Sequence, residues 1–146
     1  MQQHIKRFNE LTTEELYDIL KLRIDVFVVE QNCAYREIDG LDKEAVHVWL
    51  EDEDGIAAYL RVMDRGIEHE SVSIGRVISA RRNEGLGSLI MEAGIKVAEE
   101  EFNADSIYLE AQTYAKGFYA KHGFRQISDE FMLDGIPHIK MMRNRP

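Results

Sequence analysis

Cysteine is nearly absent from this chain of 146 residues, which contains one, Cys33. A single cysteine cannot form an internal disulfide, and it excludes a metal site built from several thiolates. The sequence places no base beside this thiol. We therefore interpret Cys33 as a small, partly buried side chain rather than a nucleophile.

Long apolar runs are also missing. No stretch reaches the roughly 18 to 20 residues that cross a bilayer, and the first residues, MQQH, lack the basic-then-apolar pattern of a signal peptide. The sequence therefore predicts a cytoplasmic protein that does not contact a membrane. Its length, with 45% hydrophobic and 31% charged residues, fits one folded domain spanning residues 1–146.

Positive charge is in short supply. The chain has 18 lysine and arginine residues against 27 aspartate and glutamate residues, for a net charge of −9. Nucleic-acid binding needs a basic face, so a nucleic acid is not the predicted partner. An acidic field favours cationic small molecules such as amines, although it also serves solubility. None of the 5 histidines has a partner at metal-ligand spacing, so we expect no metal.

Residues 75–102 carry the pattern around which the rest of the chain is interpreted. They are typical of a strand end, a loop with glycines at 85 and 87, and an amphipathic helix over 85–101. A helix that begins at a glycine loop directs free backbone N–H groups and the positive end of its dipole at the loop. This arrangement suits a phosphate, so the segment predicts a nucleotide-type cofactor held by backbone groups.

The remaining pattern predicts an α/β (α+β) fold in which antiparallel strands precede a βαβ unit. Thr12 and Glu15 predict a capping box for a helix that ends near residues 26–27. Arg23 lies beside the apolar stripe of this helix, and we expect its long side chain to reach the surface. Strands are predicted at 5–8, 46–50, 56–63, 73–78, 106–111, 124–128, 131–133 and 138–143, and a short helix at 115–121.

Two blocks resemble the GNAT superfamily of N-acyltransferases. RNEGLG at 82–87 fits the arginine-x-x-glycine-x-glycine loop of that family, and QTYAKGFYAKHGF at 112–124 is similar to its second acyl-CoA segment. The blocks stand in the right order, with a helix and a strand between them. The resemblance covers the whole chain, and VFVVEQ at 26–31, EIDG at 37–40 and GIPHI at 135–139 look like the ElaA-like subgroup.

The resemblance implies a central mixed, mostly antiparallel β-sheet flanked by helices, with a βαβ acyl-CoA-binding core. It also implies acetyl-CoA as co-substrate and direct attack of an amine on the thioester. Glycine is expected at 85 and 87 because a side chain would block close backbone approach. The implied cofactor contacts are Val77, Ile78, Arg82, Asn83, Glu84, Gly85, Leu86, Gly87, Ser88, Gln112 and Phe118.

Two positions depart from the family pattern. Glu84 stands where related loops often carry a neutral or basic residue, so its carboxylate must point away from the pyrophosphate. Gln112 stands where many members have asparagine, and the longer amide can still bond the pantetheine arm.

Catalytic roles follow from the same resemblance. Tyr119 occupies the general-acid position, and packing of the short helix is its alternative role. His138 has a position similar to that of a histidine base in glyphosate-acetylating members, and an imidazole suits a base near neutral pH. His47 and Glu110, the latter through water, are alternative bases, and the sequence does not decide between them.

The acceptor is open at this stage. Arg23, Arg76 and His47 are candidate substrate-binding residues; if both arginines face the acceptor, it is an anionic amine such as an amino acid. Otherwise the acidic surface favours a polyamine or a protein amine. A non-catalytic acyl-CoA-binding domain is the alternative function, and a generic nucleotide-binding domain fits poorly because the loop is neither a P-loop nor a dinucleotide fingerprint. Many relatives are dimers, so a homodimer also stays open.

Overall fold

The computed structural model describes residues 1–81 and 85–146. These residues form eight strands: β1 (Gln2–Arg7), β2 (Val46–Asp52), β3 (Gly55–Met63), β4 (Val72–Ser79), β5 (Ser106–Gln112), β6 (Arg125–Gln126), β7 (Phe131–Leu133) and β8 (Ile136–Asn144). Three α-helices accompany them: α1 (Thr13–Arg23), α2 (Leu86–Phe102) and α3 (Lys116–Ala120). One-turn 3-10 helices lie at Phe8–Glu10, Asp42–Glu44 and Thr113–Ala115.

The strands form one sheet in the order β1-β2-β3-β4-β5-β8-β6, and β7 pairs with β8. All pairs are antiparallel except β4 and β5, which are parallel and joined through α2. The predicted mixed, mostly antiparallel sheet with a βαβ unit is therefore confirmed. The short β6 falls within the predicted strand at 124–128, and Phe124 instead packs in the core.

Helices cover both faces of the sheet. Leu60 and Ile74 pack in the large core with Ile90 of α2, and an ideal Cβ on Gly94 would lie 2.7 Å from Leu60 Cδ2. The missing side chain at this glycine lets α2 approach β3 closely. The adjacent strand residue Tyr59 points to the other face, where it packs with Trp49, Ile19 and Ile78. 

Helix α1 begins at the predicted capping box. The Glu15 N–H donates to Thr12 Oγ1 at 3.1 Å, and the Thr12 N–H donates to Glu15 Oε1 at 2.9 Å. After Arg23 the chain continues as a π-helical segment, Ile24–Glu30, so helical structure extends past the predicted end. Within residues 1–81 and 85–146, no helix combines the length and apolarity needed to cross a membrane.

Arg23 does not reach the surface, and that prediction was wrong. Its side chain is 0% exposed, with Nε donating to Glu37 at 2.7 Å and Nη1 to Asp42 at 2.6 Å. It belongs to a network of three arginines and three carboxylates, here called the arginine network: Arg23, Arg61, Arg76, Glu37, Asp39 and Asp42. Equal numbers of both charges make burial tolerable, because a buried charge without a partner is costly.

The arginine network fastens segment 31–45 to the sheet. Arg61 of β3 binds Asp39 and Asp42, and Arg76 of β4 binds Glu37 and Asp39. Burial acts to raise the pKa of Asp39, but the Arg61 hydrogen bonds and the Leu41 amide outweigh it and lower the pKa to about 2. The folded state therefore favours the ionised carboxylate.

We predict that the Asp39 carboxylate makes the free energy of unfolding depend on pH in the acidic range. Because the folded pKa is about 2 against 3.8 unfolded, the contribution of about 2 kcal/mol is present above pH 4 and is lost as the pH falls toward 2. In urea unfolding between pH 7 and pH 2.5, Asp39→Asn should be less stable at neutral pH and should lose less on acidification. Exposed Asp129 provides the matched control, and Asp129→Asn should follow the parent. Equal acid dependence of Asp39→Asn and the parent would contradict the assignment.

Candidate active site

The site begins where two parallel strands separate. β4 and β5 pair at only two positions, Val72 with Ile107 and Ser73 with Tyr108. Beyond them the strands diverge, and a cleft of about 1480 Å³ opens between β4 residues from Ser73 onward and β5 residues up to Gln112. Diverging parallel strands leave backbone groups on both sides of the opening without a ladder partner, and these are ready to bind an extended ligand.

A β-bulge bends β4 in the middle of this cleft. Tyr59 pairs with Ile78 and Arg61 with Gly75, so Arg76 and Val77 together stand opposite the single residue Leu60. Arg76 takes a left-handed conformation with φ 54°. A bulge leaves its extra residue out of the ladder, which frees backbone groups at Arg76 and Val77 for the cleft.

The Arg76 side chain holds the bulge in place. Its Nε donates to Glu37 Oε2 at 2.7 Å, and Nη2 donates to the Glu37 carbonyl at 3.1 Å. Glu37 is buried and also accepts from Arg23. The arginine network thus reaches from the core to the wall of the cleft.

The N-terminus of α2 lies beyond the carboxyl end of β4. Gly85 precedes the helix with φ 72°, and the first bond of the helix runs from the Leu89 N–H to the Gly85 carbonyl. The amides of Leu86, Gly87 and Ser88 consequently have no partner within the helix, as an anion site requires. Arg82, Asn83 and Glu84, which the sequence assigned to this site, lie outside the described residues.

Positions 85 and 87 of the loop favour glycine for different structural reasons. An ideal Cβ on Gly85 meets nothing within 4 Å, so the requirement there is the positive φ. An ideal Cβ on Gly87 would lie 3.1 Å from the Phe118 ring, so a side chain there would require this ring to shift by a few tenths of an ångström. The predicted reason, close approach of the backbone to a pyrophosphate, concerns a bound ligand and stays a prediction.

The other cofactor candidates fall into two groups. Val77, Ile78, Gly87, Gln112 and Phe118 line the cleft. The Leu86 side chain is buried in the core, which leaves only its backbone for a ligand, and Ser88 Oγ lies 3.2 Å from His122 Nε2.

Tyr119 lines the cleft from α3. Its ring packs edge-on against Phe118 and Phe124, with centroids 5.1 and 6.2 Å away. Burial raises the pKa of the Tyr119 phenol, with a smaller contribution from Tyr114. Because its pKa is raised, the phenol keeps its proton at neutral pH. No side chain or backbone group among the described residues hydrogen-bonds this hydroxyl, so it can donate to a group bound in the cleft.

His138 lines the same cleft at the start of β8 and is 9% exposed. Its Nδ1 lies 2.7 Å from the Ile136 carbonyl oxygen. Because a carbonyl can only accept, Nδ1 carries the proton and Nε2 of the neutral imidazole is left as a proton acceptor. The structure thus brings Tyr119 and His138 to one cavity.

His47 and Arg23 lie elsewhere, which corrects their assignment to the substrate. Both are 0% exposed and neither lines the cleft. His47 Nδ1 accepts from the Tyr59 hydroxyl at 2.7 Å, and Nε2 donates to the Asp42 carbonyl at 2.9 Å. Burial lowers the pKa of His47. With both nitrogens bonded and no access to the cleft, it can serve neither as base nor as substrate ligand.

Sequence reasoning missed a polar corner at the narrow end of the cleft. Ser73, Tyr108 and Glu68 line the cleft together with Glu110, which was already a candidate base. The Tyr108 hydroxyl donates to Glu110 Oε2 at 2.7 Å, and the His69 ring stacks on Tyr108 at 3.7 Å. The available signal was a tyrosine alternating with Ile107 and Leu109 on an apolar strand.

Comparisons with known proteins agree on one family and one fold. A family model for an acetyltransferase (GNAT) domain matches residues 10–144. An acyl-CoA N-acyltransferase of Pseudomonas aeruginosa superimposes with a TM-score of 0.92 at 38% identity, covering 98% of this chain and 99% of that one. Escherichia coli ElaA superimposes with a TM-score of 0.91 at 35% identity and the same coverage. A UPF0039 protein of Schizosaccharomyces pombe is 39% identical over 140 residues, which are 93% of this chain and 92% of the relative.

We predict that the bulge stores backbone strain, which two variants of one residue can measure. Arg76→Ala and Arg76→Gly both remove the ion pairs, but only glycine adopts φ 54° without cost. In urea unfolding, both variants should be less stable than the parent, and Arg76→Ala should be less stable than Arg76→Gly by about 1 kcal/mol. If the alanine variant is the more stable of the two, Arg76 is not strained.

Proposed function

We propose that this chain, which belongs to the GNAT acetyltransferase family, is an acetyl-CoA-dependent N-acetyltransferase that transfers the acyl group directly to an amine in a ternary complex. The family is the one that the two sequence blocks predicted. The observation that carries the proposal is the divergence of β4 and β5 after two paired positions, with a bulge on one wall and Tyr119 and His138 facing the opening. Residues 1–146 then form a single acyl-CoA N-acyltransferase domain.

The residues present fit an acyl-CoA. The amides of Leu86, Gly87 and Ser88, which have no partner within the helix, suit a pyrophosphate. The Gln112 side chain, bonded at 3.2 Å to Gln31, lines the cleft and can bond the pantetheine arm. Phe118 packs on Gly87 and forms the wall of the cleft between the first amides of α2 and the Gln112 side chain. Acetyl-CoA supplies the activated acyl group when bound.

The bulge offers the donor for the acyl oxygen. Ile78 is paired with Tyr59 in the ladder, whereas Val77 belongs to the unpaired part of the bulge. We assign the Val77 N–H to the acyl carbonyl oxygen, where negative charge develops during attack. By analogy with other oxyanion holes, a positioned donor of this kind lowers the activation barrier by about 3 kcal/mol.

Proton transfer divides between two side chains. His138 Nε2 takes one proton from the bound ammonium, which leaves a neutral amine for the attack, and the Tyr119 hydroxyl gives a proton to the departing sulfur. The new bond joins nitrogen to the acyl carbon, the bond from that carbon to sulfur breaks, and the nitrogen loses its second proton to solvent as the amide forms. Exchange with solvent restores both side chains.

We predict that Tyr119→Phe lowers kcat about a hundredfold or more, the usual range for loss of a general acid. Because the raised pKa keeps the phenol protonated, activity of the parent should not decline between pH 7 and pH 9 through this group. Free-thiol release over a panel of amines measures kcat, and a thermal shift with acetyl-CoA shows that the variant still binds it.

Tyr17, exposed on α1, is the matched control, and Tyr17→Phe should retain full activity. A Tyr119→Phe enzyme as active as the parent would remove the acid role. Stabilisation by acetyl-CoA without acetylation of any amine would instead indicate a non-catalytic acyl-CoA-binding domain.

We predict that His138→Ala reduces kcat/KM by a factor that shrinks as the pH rises. The base is needed to neutralise an ammonium, and near pH 10 an alkylamine is already largely neutral. The expected loss is about a hundredfold at pH 7 and much less at pH 10. A deficit that is the same at both pH values would point to a structural role for the imidazole.

A further inference from the structure

Carboxylates predominate around the cleft. Its described lining includes one guanidinium, that of Arg76, and these carboxylates: Asp25, Glu30, Glu68, Glu110 and Asp134. Arg76 already donates to Glu37 and Asp39, so its charge is compensated within the protein. The alternative of an anionic acceptor held by Arg23 and Arg76 therefore loses its basis, because one arginine is buried and the other is neutralised.

Ser73 lies at the end of the cleft away from helix α2. The first amides of α2 follow the carboxyl end of β4, whereas Ser73 stands near the amino end of this strand. At a rise of about 3.3 Å per residue, Ser73 lies at most about 13 Å from Val77 along the strand, because the bulge shortens the path between them. A ligand group near Ser73 is therefore beyond the reacting carbonyl and belongs to the acceptor.

The Ser73 hydroxyl is a buried group that lacks a partner. Ser73 is 1% exposed and its Oγ has no hydrogen bond among the described residues, yet the residue lines the cleft. Leaving a buried hydroxyl unsatisfied costs about 1 to 3 kcal/mol. A donor bound at this corner would recover that energy.

The acceptors around Ser73 suit a cation. Ser73 is paired with Tyr108, whose hydroxyl is bonded to Glu110. Glu68 lies alongside Gly75, two residues further along β4, since an ideal Cβ on Gly75 would be 4.0 Å from Glu68 Oε2. Burial raises the pKa of the Tyr108 phenol, and both Glu110 and Glu68 raise it further, which fits two carboxylates close to one hydroxyl. The stacked His69 ring fixes the position of Tyr108.

We propose that the acceptor carries a second cationic nitrogen, besides the amine that is acylated, and that this nitrogen binds between Glu68, Glu110 and Ser73. The acceptor is thus a small diamine or polyamine. This inference rests on the proposed function for the direction of the cleft. An ammonium donates to both carboxylates and to Ser73 Oγ, whereas an acceptor with its own carboxylate would be repelled.

Three acceptors of one carbon skeleton test the proposal: 1,5-diaminopentane, pentylamine, which lacks the second nitrogen, and lysine, which adds a carboxylate. Binding to the CoA-loaded protein at pH 7 is measured by calorimetry. The diamine should bind about tenfold or more tightly than pentylamine, the gain of one charge-assisted contact, and more tightly than lysine. Equal affinities for diamine and pentylamine, or tighter binding of lysine, overturn the proposal.

Variants locate the second nitrogen. Glu68→Gln should weaken diamine binding about tenfold, and Ser73→Ala should weaken it severalfold, so that the preference over pentylamine falls. Glu100, exposed on α2 and outside the cleft lining, is the matched control, and Glu100→Gln should keep the preference. An unchanged preference in Glu68→Gln and Ser73→Ala would place the nitrogen elsewhere and overturn the assignment.

Thiol release with the same acceptors and acetyl-CoA separates this inference from the proposed function. Diamine binding without acetylation of any amine would defeat the proposed function and leave the cation subsite standing. Acetylation of pentylamine and the diamine with equal kcat/KM would defeat the subsite and leave the transferase standing.

Discussion

The ion pair between Arg76 and Glu37 is the contact on which the cleft depends. Arg76 is the residue that bulges out of β4 in a left-handed conformation, and Glu37 is anchored from behind by buried Arg23. A strained bulge persists in a strand only where surrounding interactions stabilise it, and here those interactions are ion pairs. The charges of the arginine network thus fix the bulge of β4 at the wall of the cleft.

The bulge also decides which helix each half of β4 contacts. Ile74 packs beneath α2 and Ile78 packs beneath α1, although they are four positions apart and an unbroken strand would place both on one face. The extra residue at Arg76 and Val77 reverses the alternation. One strand therefore contributes to both hydrophobic layers, and the reversal falls where the cleft needs free backbone groups.

The sequence predicted what local chemistry specifies. The Thr12 capping box, the βαβ unit and the Tyr119 block depend on neighbours within a few residues or on a motif, and the first two are confirmed. Arg23 and His47 depend on partners that arrive from segment 31–45, and no periodicity reveals where a loop folds back. Their burial was therefore not predictable, because it follows from pairing with Glu37 and Asp42. Ser73 was missed for a related reason, since only the divergence of β4 and β5 brings it to a cavity.

The contact between Gly87 and Phe118 joins two stretches that are 31 residues apart in sequence. The ring occupies the place of a side chain at 87, so the glycine of the loop and the aromatic residue of the second block are two halves of one packing arrangement. A side chain at position 87 would require the Phe118 ring to shift by a few tenths of an ångström. The two sequence blocks of this chain are thus coupled by packing, so a substitution in one changes the surroundings of the other.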